Sequence, residues 1–463
     1  MKYQFPENFQ WGVAASAAQT EGAALEGGKG PSVWDMFARI PGMIADGTTP
    51  DVACDEYHQY EKDIARMKEL GIKTCRFSVA WSRVIPDGDG EVNQEGLDFY
   101  KRYVKCLKDN GITPHITLFH WDLPYKLQLK GGFGNRDVIK WFTNYANVLF
   151  DAFGDEVEYW STFNEPIALY VGYAQGTFAP GLTDEKYARQ VLHNALVCHG
   201  EAVKLFHSKN FKIAKIGVVI DVWKHYPKQP GHPMDEALCT YNNEVEGYGT
   251  FMNALYFGEY SQEYMNYLRE HDVVPVIEEG DMETISTPMD FHGVNFYTGL
   301  IDDHHVMELG KKRIMTAQDI KMGGNYQDRP KMKHIPEKIY DVLHMLVDKY
   351  KITTPIIITE NGTIQMDYGD APLEYFLNDD DRSEYLQTVL KYVHKAIEEG
   401  MDIRGYYIWS LCDNWEWNAG FMMRYGMMYT NFETQERIPK NSYTWYKNVI
   451  ANNGFEDEPL EME

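Results

Sequence analysis

Two glutamates in this sequence stand where paired carboxyl groups could act as nucleophile and acid/base. Glu165 lies in residues 162–166 (TFNEP), and Glu360 lies in residues 358–362 (ITENG). Each one ends a short apolar run and is followed by a residue that turns the chain. Hydrolysis of a glycoside by double displacement needs two carboxyl groups about 5–5.5 Å apart. The fold would therefore have to bring together residues that are 360 − 165 = 195 positions apart.

The residues that follow the two glutamates predict their local backbone. Pro166 disfavours the right-handed helical region at Glu165, so we expect an extended conformation there. The pair Asn361-Gly362 predicts a turn directly after Glu360. Either glutamate alone could be an ion-paired residue at a strand end, and Asn-Gly also closes simple hairpins. The chemical interpretation therefore depends on where the two strands end.

The elements that would position these glutamates recur as a helix, a glycine and a strand. Apolar residues at helical spacing lead into Gly71, Gly111, Gly154 and Gly400, and an apolar run follows each glycine. A glycine after a helix adopts the left-handed conformation at low cost. The sequence predicts eight strands, over residues 9–15, 72–79, 112–119, 157–163, 213–221, 289–296, 354–359 and 403–411.

Eight apolar strands that alternate with helices favour a closed α/β barrel over an open doubly wound sheet. We predict a single (β/α)8 TIM barrel over residues 1–455, with long βα-loop insertions over roughly 222–288 and 300–335. An acidic, disordered tail is expected over residues 456–463. Because active-site groups of such barrels lie at the carboxyl ends of the strands, Glu165 and Glu360 would face the same mouth.

Other side chains at predicted strand ends are suited to a hydroxyl-rich ligand. Arg76, near the end of the second strand, could keep one carboxylate ionised, while burial and the neighbouring charge would keep the other protonated. Sugars need many polar partners and an aromatic platform. The remaining strand ends supply this mixture in Gln19, Glu21, His120, Trp121, Asp122, Asn164, Asn295, Tyr297, Trp409 and residues 413–417 (DNWEW).

The bulk composition argues against several classes of function. With 69 acidic and 44 basic residues the net charge is −25, which disfavours nucleic acid or an anionic membrane as a partner. Six scattered cysteines without a C-x-x-C pair predict reduced thiols. Neither a signal peptide nor a membrane-spanning run is visible. We expect a cytoplasmic enzyme that acts on a small molecule, and the composition is compatible with a homo-oligomer.

Weaker motifs do not support a metal or a cofactor. Residues 302–305 (DDHH) lack a third spaced ligand and are interpreted as a loop. Residues 87–90 (DGDG) match a calcium loop only loosely and are interpreted as a turn. The glycine clusters at 27–30 and 131–134 do not follow strands, as phosphate-binding loops would. The sequence therefore predicts neither a metal nor a nucleotide.

Taken together, the motifs resemble glycoside hydrolase family 1, the β-glucosidase family, over about residues 9–449. The segments at 162–166 and 358–362 resemble the family's acid/base and nucleophile motifs, and their combination is highly specific. Further matching blocks are residues 9–14 (FQWGVA), 19–22 (QTEG), 76–78 (RFS), 81–83 (WSR) and 120–124 (HWDLP).

The resemblance implies a role for each site residue. Glu360 would attack the anomeric carbon, and Glu165 would protonate the leaving oxygen and later activate water. Around them, the catalytic set would be completed by Arg76, Asn295 and Tyr297. The substrate would be held by Gln19, His120, Trp121, Asn164, Trp409, Glu416, Trp417 and Tyr425, with Trp409 beneath the sugar ring.

The resemblance also bears on which sugar is bound. Family members that act on 6-phosphorylated sugars carry Ser at the position of Glu416, and a Lys and a Tyr near the end of the same loop. Here Glu416 would repel a phosphate and Met423 replaces the Lys, whereas Tyr425 keeps the Tyr. Ile167, where many relatives carry Trp, leaves the aglycone preference open.

The sequence therefore favours a retaining β-glucosidase for terminal, non-reducing β-D-glucosyl residues. We expect it also to cleave β-galactosides or β-fucosides, and to serve in cellobiose degradation. One alternative is a 6-phospho-β-glucosidase of the same family. The alternative from another class is a non-catalytic sugar-binding relative, although such proteins usually lose one of the two carboxylates.

Overall fold

A computed structural model describes residues 1–306 and 334–460 of the protein. Eight parallel strands, numbered β1 to β8 along the chain, close into a barrel, because β8 pairs with β1. This confirms the predicted (β/α)8 fold, and the predicted strand ends differ from the observed ones by three residues or fewer. The strands are Gln10–Ala14 (β1), Thr74–Ser78 (β2), Thr113–Phe119 (β3), Tyr159–Asn164 (β4), Lys215–Asp221 (β5), Phe291–Asn295 (β6), Ile356–Asn361 (β7) and Ile403–Ile408 (β8).

Helices surround the barrel and fill the loops above it. The helix Glu56–Leu70 ends as predicted at Gly71, where φ is 89° and the amide donates to Met67 and Lys68. The α-helices are Ala17–Thr20, Val33–Phe37, Glu56–Leu70, Trp81–Val84, Gln94–Asp109, Tyr125–Gln128, Val138–Phe153, Ile167–Tyr170, Glu185–Ser208, Pro233–Glu244, Gly249–Phe257, Gln262–Glu270, Asp281–Ile285, Lys338–Asp348, Leu373–Leu377, Asp380–Glu398 and Asn441–Asn452. Shorter helical turns are Gly132–Gly134, Gly154–Glu156, Val171–Gln175 and Trp417–Ala419.

Four small two-stranded sheets lie outside the barrel. They pair Lys2–Gln4 with Gly454–Glu456, His225–Pro227 with Leu300–Asp302, Gln365–Met366 with Met423–Arg424, and Met428–Thr430 with Arg437–Pro439. The predicted insertion over 222–288 carries one of these strands and four helices. Most of the second predicted insertion, 307–333, lies outside the described residues.

Aromatic side chains fill the amino end of the barrel. Tyr159, Phe291 and Tyr407 pack around the ring of His115, with centroids 5.5 to 5.8 Å from it. Gly12 makes room for this packing, because a Cβ there would lie 2.2 Å from the ring of Tyr407. With its amino end filled, the barrel leaves its carboxyl end for polar groups.

The two ends of the described chain meet beneath the barrel. Lys2–Gln4 pairs antiparallel with Gly454–Glu456, and Asp457 forms an ion pair with Lys391 at 2.9 Å. The predicted tail thus begins in a paired strand, while residues 461–463 lie outside the described residues. The division into one domain and a disordered tail stays a prediction.

Two further expectations concern the reduced thiols and the membrane-spanning run. All six cysteines fall within the described ranges and are free; five are buried and Cys106 is half-buried. Within those ranges, no helix is both long and apolar enough to cross a membrane.

Candidate active site

The barrel brings the two predicted carboxyl groups to the same mouth. Glu165 follows Asn164, the last residue of β4, and Glu360 is the penultimate residue of β7. In the register of β6 and β7, Glu360 lies opposite Asn295. The Asn295 amide donates to Oε1 of Glu165 at 2.6 Å, and its Oδ1 accepts from the hydroxyl of Thr359 at 2.7 Å. Asn295 therefore connects the acid on β4 to the strand that carries the second glutamate.

Glu360 is held by two strong donors. Arg76 Nη1 donates to Oε1 at 2.7 Å, and the hydroxyl of Tyr297 donates to Oε2 at 2.8 Å. Arg76 is itself fixed, because its Nη2 donates to Asn164 at 2.6 Å and its Nε donates to Thr117 at 3.0 Å. The guanidinium is completely buried, so Arg76 is not part of a surface ion pair.

The electrostatic surroundings separate the two acids. Burial, and then the charges of Asp221 and Glu360, raise the pKa of Glu165 well above its usual value. Burial also raises the pKa of Glu360, and the charge of Arg76 and the hydrogen bond from Tyr297 offset only part of this rise. Glu165 is therefore the group that holds a proton more readily, and Glu360 is the group whose ionised form is stabilised.

The expected extended conformation of Glu165 is wrong. Its φ is 43°, in the left-handed region, which the steric conflict with Pro166 does not exclude. The Glu165 amide still bonds to Val219 on β5 at 2.9 Å, and its carbonyl already accepts from Ala168 at 3.0 Å. The chain must pass from β4 into the helix Ile167–Tyr170 within one residue, and this abrupt turn requires the unusual backbone.

Gln19 and Glu416, from the loops after β1 and β8, form a polar pair. Gln19 is buried, and its amide donates to Glu416 at 2.9 Å and to Asn414 at 3.2 Å. Burial and the charge of Glu360 raise the pKa of Glu416 to about 8. Both side chains offer hydrogen-bonding atoms, and their role in binding substrate stays a prediction.

His120 is a neutral imidazole next to Asn164. Burial and the charge of Arg76 hold the pKa of His120 well below its usual value. Its Nε2 lies 3.0 Å from the amide nitrogen of Asn164 and accepts from it, so Nδ1 carries the hydrogen. That Nδ1 is buried and has no hydrogen-bond partner among the described residues. One donor is thus left for a ligand.

Three tryptophans line the same space. The ring of Trp417 lies 4.5 Å from Trp121 and 5.8 Å from His120, which in turn lies 5.9 Å from Trp409. Trp121 also donates from its indole nitrogen to the carbonyl of Asn164 at 2.8 Å. The loops after β3 and β8 therefore bring these rings together, and their role as a platform for a sugar stays a prediction.

Tyr425 packs against Tyr297, which donates a hydrogen bond to Glu360. Its half-buried ring meets the ring of Tyr297 edge-on at 5.8 Å. Burial and then the charge of Glu416 raise the pKa of the Tyr425 phenol well above its usual value, so the hydroxyl keeps its hydrogen. Tyr425 can therefore act as a donor near Glu416.

In the described part of the loop that carries Tyr425, neither Met423 nor Arg424 offers an unpaired cation. Met423 pairs in a short strand with Met366. Its neighbour Arg424 is buried, and binds Asp367 at 2.7 Å and Asp413 at 3.0 Å. Within the described residues, the charge of this arginine is thus already matched by two carboxylates.

Glu21 and Asp122, two acidic residues predicted at strand ends, are both buried. Glu21 accepts from Arg83 at 2.9 Å and from the hydroxyl of Tyr100. Asp122 is buried, which raises its pKa to about 7. These contacts belong to the packing of the first βα loops rather than to the glutamate pair.

Sequence reasoning missed Asp221 and Trp223. Asp221 ends β5 opposite Asn295 in the register, and contributes the largest charge effect on Glu165. Trp223 stacks on Tyr297 at 5.7 Å. The available signal was that the fifth predicted strand ends at residue 221, where no site residue was assigned.

Known proteins resemble this chain in sequence and in fold. The sequence profile described as glycosyl hydrolase family 1 matches residues 1–455. The chain is similar to "Beta-glucosidase A" of Acetivibrio thermocellus, with 42% identity over 98% of this chain and 100% of the relative. The structure of the β-glucosidase from Thermotoga maritima in complex with glucoimidazole superposes with a TM-score of 0.88 at 38% identity, covering 98% of this chain and 100% of that one. The complex of the same enzyme with galacto-hydroximolactam gives a TM-score of 0.86 at 38% identity over the same shares.

Proposed function

The chain belongs to glycosyl hydrolase family 1, and on that premise we propose that it is a retaining β-glucosidase. Its substrates would be terminal, non-reducing β-D-glucosyl residues. The observation that carries the proposal is the unequal pair at the mouth: Glu360 between Arg76 and Tyr297, and Glu165 on Asn295. Glu360 is the more readily ionised of the two and Glu165 the more readily protonated, as double displacement requires.

In the first step, the ionised Glu360 attacks the anomeric carbon while Glu165 donates its proton to the departing oxygen. The products are a covalent glycosyl-enzyme on Glu360 and a free alcohol. The bonds from Arg76 and Tyr297 direct the carboxylate of Glu360. The same bonds favour the ionised form of Glu360 before the substrate binds.

In the second step, Glu165 has lost its proton and acts as a base. It takes a proton from water, which attacks the anomeric carbon and releases Glu360. Glu165 is reprotonated in this step, and the neighbouring carboxylate Asp221 favours its return to the protonated form. Two inversions give overall retention of configuration.

The glycone would be bound by polar and aromatic groups at the mouth. The Nδ1–H of His120 is the clearest donor, because it is buried and otherwise unpaired among the described residues. Gln19 and Glu416 offer an amide and a carboxyl group. A sugar ring would lie on Trp409, since aromatic faces match the apolar faces of pyranoses. Further contacts are assigned to Asn164, Trp121, Trp417 and Tyr425.

The same region supports an unphosphorylated sugar. A phosphate group needs a cation or several donors when it leaves water. Met423 offers neither, and Arg424 is held by Asp367 and Asp413. A pKa of about 8 leaves Glu416 largely protonated at neutral pH, so exclusion of phosphate rests on the missing cation more than on charge repulsion.

We include β-galactosides and β-fucosides in the proposed substrate range. The Thermotoga maritima enzyme was captured with a galacto-configured ligand as well as with glucoimidazole. A cytoplasmic location and a role in cellobiose breakdown complete the proposal. The six free cysteines support a reducing compartment.

A kinetic panel tests this assignment. Aryl β-glucoside, β-galactoside and β-fucoside with one leaving group should all be turned over, and the 6-phosphate of the aryl glucoside should react far more slowly at equal concentration. A strong preference for the phosphate would favour the 6-phospho-β-glucosidase instead. Binding of the whole panel without turnover would indicate a non-catalytic sugar-binding protein.

A further inference from the structure

We propose that His232, Asp235 and His304 form a binding site for a divalent transition metal. His232 immediately precedes the helix Pro233–Glu244, and Asp235 lies in its first turn. His304 follows the strand Leu300–Asp302 in the next βα loop. Each residue offers one ligand atom, and these atoms lie within 4.8 Å of one another. Two imidazoles and a carboxylate suit Zn²⁺, Co²⁺ or Ni²⁺ better than Mg²⁺ or Ca²⁺.

Asp235 orients His304 for this purpose. Its Oδ1 accepts from Nδ1 of His304 at 2.6 Å and from the His304 amide at 2.9 Å. The Gln229 amide donates to the other oxygen of Asp235 at 2.9 Å. Because Asp235 Oδ1 is an acceptor towards the His304 amide as well, His304 carries its hydrogen on Nδ1. Its Nε2 then presents a lone pair, and a carboxylate–histidine pair of this kind is a common support of metal ligands.

His232 supplies the second nitrogen. Its ring stacks on that of His304 with centroids 4.0 Å apart and planes at 8°. Its Nδ1 is buried and has no hydrogen-bond partner among the described residues. Parallel rings direct their lone pairs side by side, so an ion would rotate the His232 ring out of the stack. Metal binding would satisfy a buried polar atom that is otherwise unpaired.

A neighbouring histidine shows what a purely structural contact looks like in the same loops. His225 Nδ1 contacts Asp302 at 2.8 Å, and Asn242 donates to the other oxygen of Asp302 at 3.0 Å. This cluster contains one imidazole, and the Nδ1 of that imidazole is already paired. The group around His304 differs because it brings a second imidazole with an unpaired nitrogen to the same point.

This site was not predicted from the sequence alone. Residues 302–305 contain one part of it, and their lack of a third spaced ligand led to their interpretation as a loop. The missing ligands come from the insertion after β5, where His232 is 304 − 232 = 72 residues away. The pairing of His225–Pro227 with Leu300–Asp302 brings the two loops together.

The test is a titration of the full-length, untagged, chelator-treated protein with Co²⁺. Calorimetry and the visible absorption of bound Co²⁺ should both show one equivalent. His232→Ala and His304→Ala should each weaken binding by about tenfold or more. The matched control is His58→Ala, which removes an exposed histidine that contacts Asp55 at 2.6 Å and Glu26 at 3.1 Å. The control should bind like the wild type.

Equal affinity in the wild type and both site variants, or no stoichiometric binding, would overturn the proposal. Should His304→Ala lose its fold in circular dichroism, His232→Ala still decides, since His232 Nδ1 has no hydrogen bond to lose. The titration does not involve glycoside hydrolysis, so its failure leaves the proposed β-glucosidase activity untouched.

Discussion

The surroundings of Glu165 and Glu360 differ although the residues are chemically identical. Glu360 lies within a strand and receives hydrogen bonds from a buried guanidinium and a phenol. Glu165 stands one residue past its strand, receives one amide hydrogen bond, and has Asp221 and Glu360 as charged neighbours. Cationic surroundings favour a carboxylate, whereas anionic and apolar surroundings favour a carboxylic acid. The environment, and not the residue type, therefore assigns the two roles.

The largest expected effect comes from removing the nucleophile. Glu360→Gln keeps the shape of the side chain but leaves no anion to attack, so kcat should fall by about 10⁴-fold or more. Hydrolysis of an aryl β-glucoside measures this. Near-wild-type turnover in a folded variant would contradict the assignment of Glu360.

A change on the acid/base side should depend on the substrate. Glu165→Ala removes the proton donor, so poor leaving groups should lose about 10²- to 10⁴-fold in kcat/KM. Leaving groups that need no protonation should retain most of the first step, and added azide should react with the glycosyl-enzyme. Equal losses for good and poor leaving groups would place the acid elsewhere.

Much of the arrangement around Glu165 and Glu360 could be predicted from the sequence. The barrel strands were more predictable than the backbone at Glu165. Arg76, Asn164, Asn295 and Glu360 lie in barrel strands, where regular alternation and parallel register decide which side chains reach the mouth. The conformation of Glu165 was not predictable, because it depends on a hydrogen bond to a different strand and on an immediate turn into a helix. The residues next to Glu165 in the sequence do not indicate either feature.

A smaller effect should follow from removing one of the hydrogen bonds to Glu360. Tyr297→Phe removes one donor from Glu360, which should lower kcat about 10- to 100-fold, the usual range for a hydrogen bond to a charged group. Because that bond lowers the pKa of Glu360, its loss should raise this pKa. Since Glu360 must be ionised to attack, the acid limb of kcat/KM should move to higher pH. An unchanged acid limb would mean that Tyr297 only fills space.

The smallest effect, and the sharpest test of the comparison, concerns Asp221. Its charge raises the pKa of Glu165, so Asp221→Asn should lower that pKa. Glu165 must be protonated in the first step, and therefore the alkaline limb of kcat/KM should move to lower pH. At neutral pH the loss should be less than about tenfold.

The two pH profiles together separate tuning from general damage. Tyr297→Phe should move the acid limb and Asp221→Asn the alkaline limb, because each acts on a different glutamate. A variant that merely disturbed packing would lower the whole profile without moving either limb. If Asp221→Asn left the alkaline limb in place, the protonated state of Glu165 would have to rest on burial and on Glu360 alone.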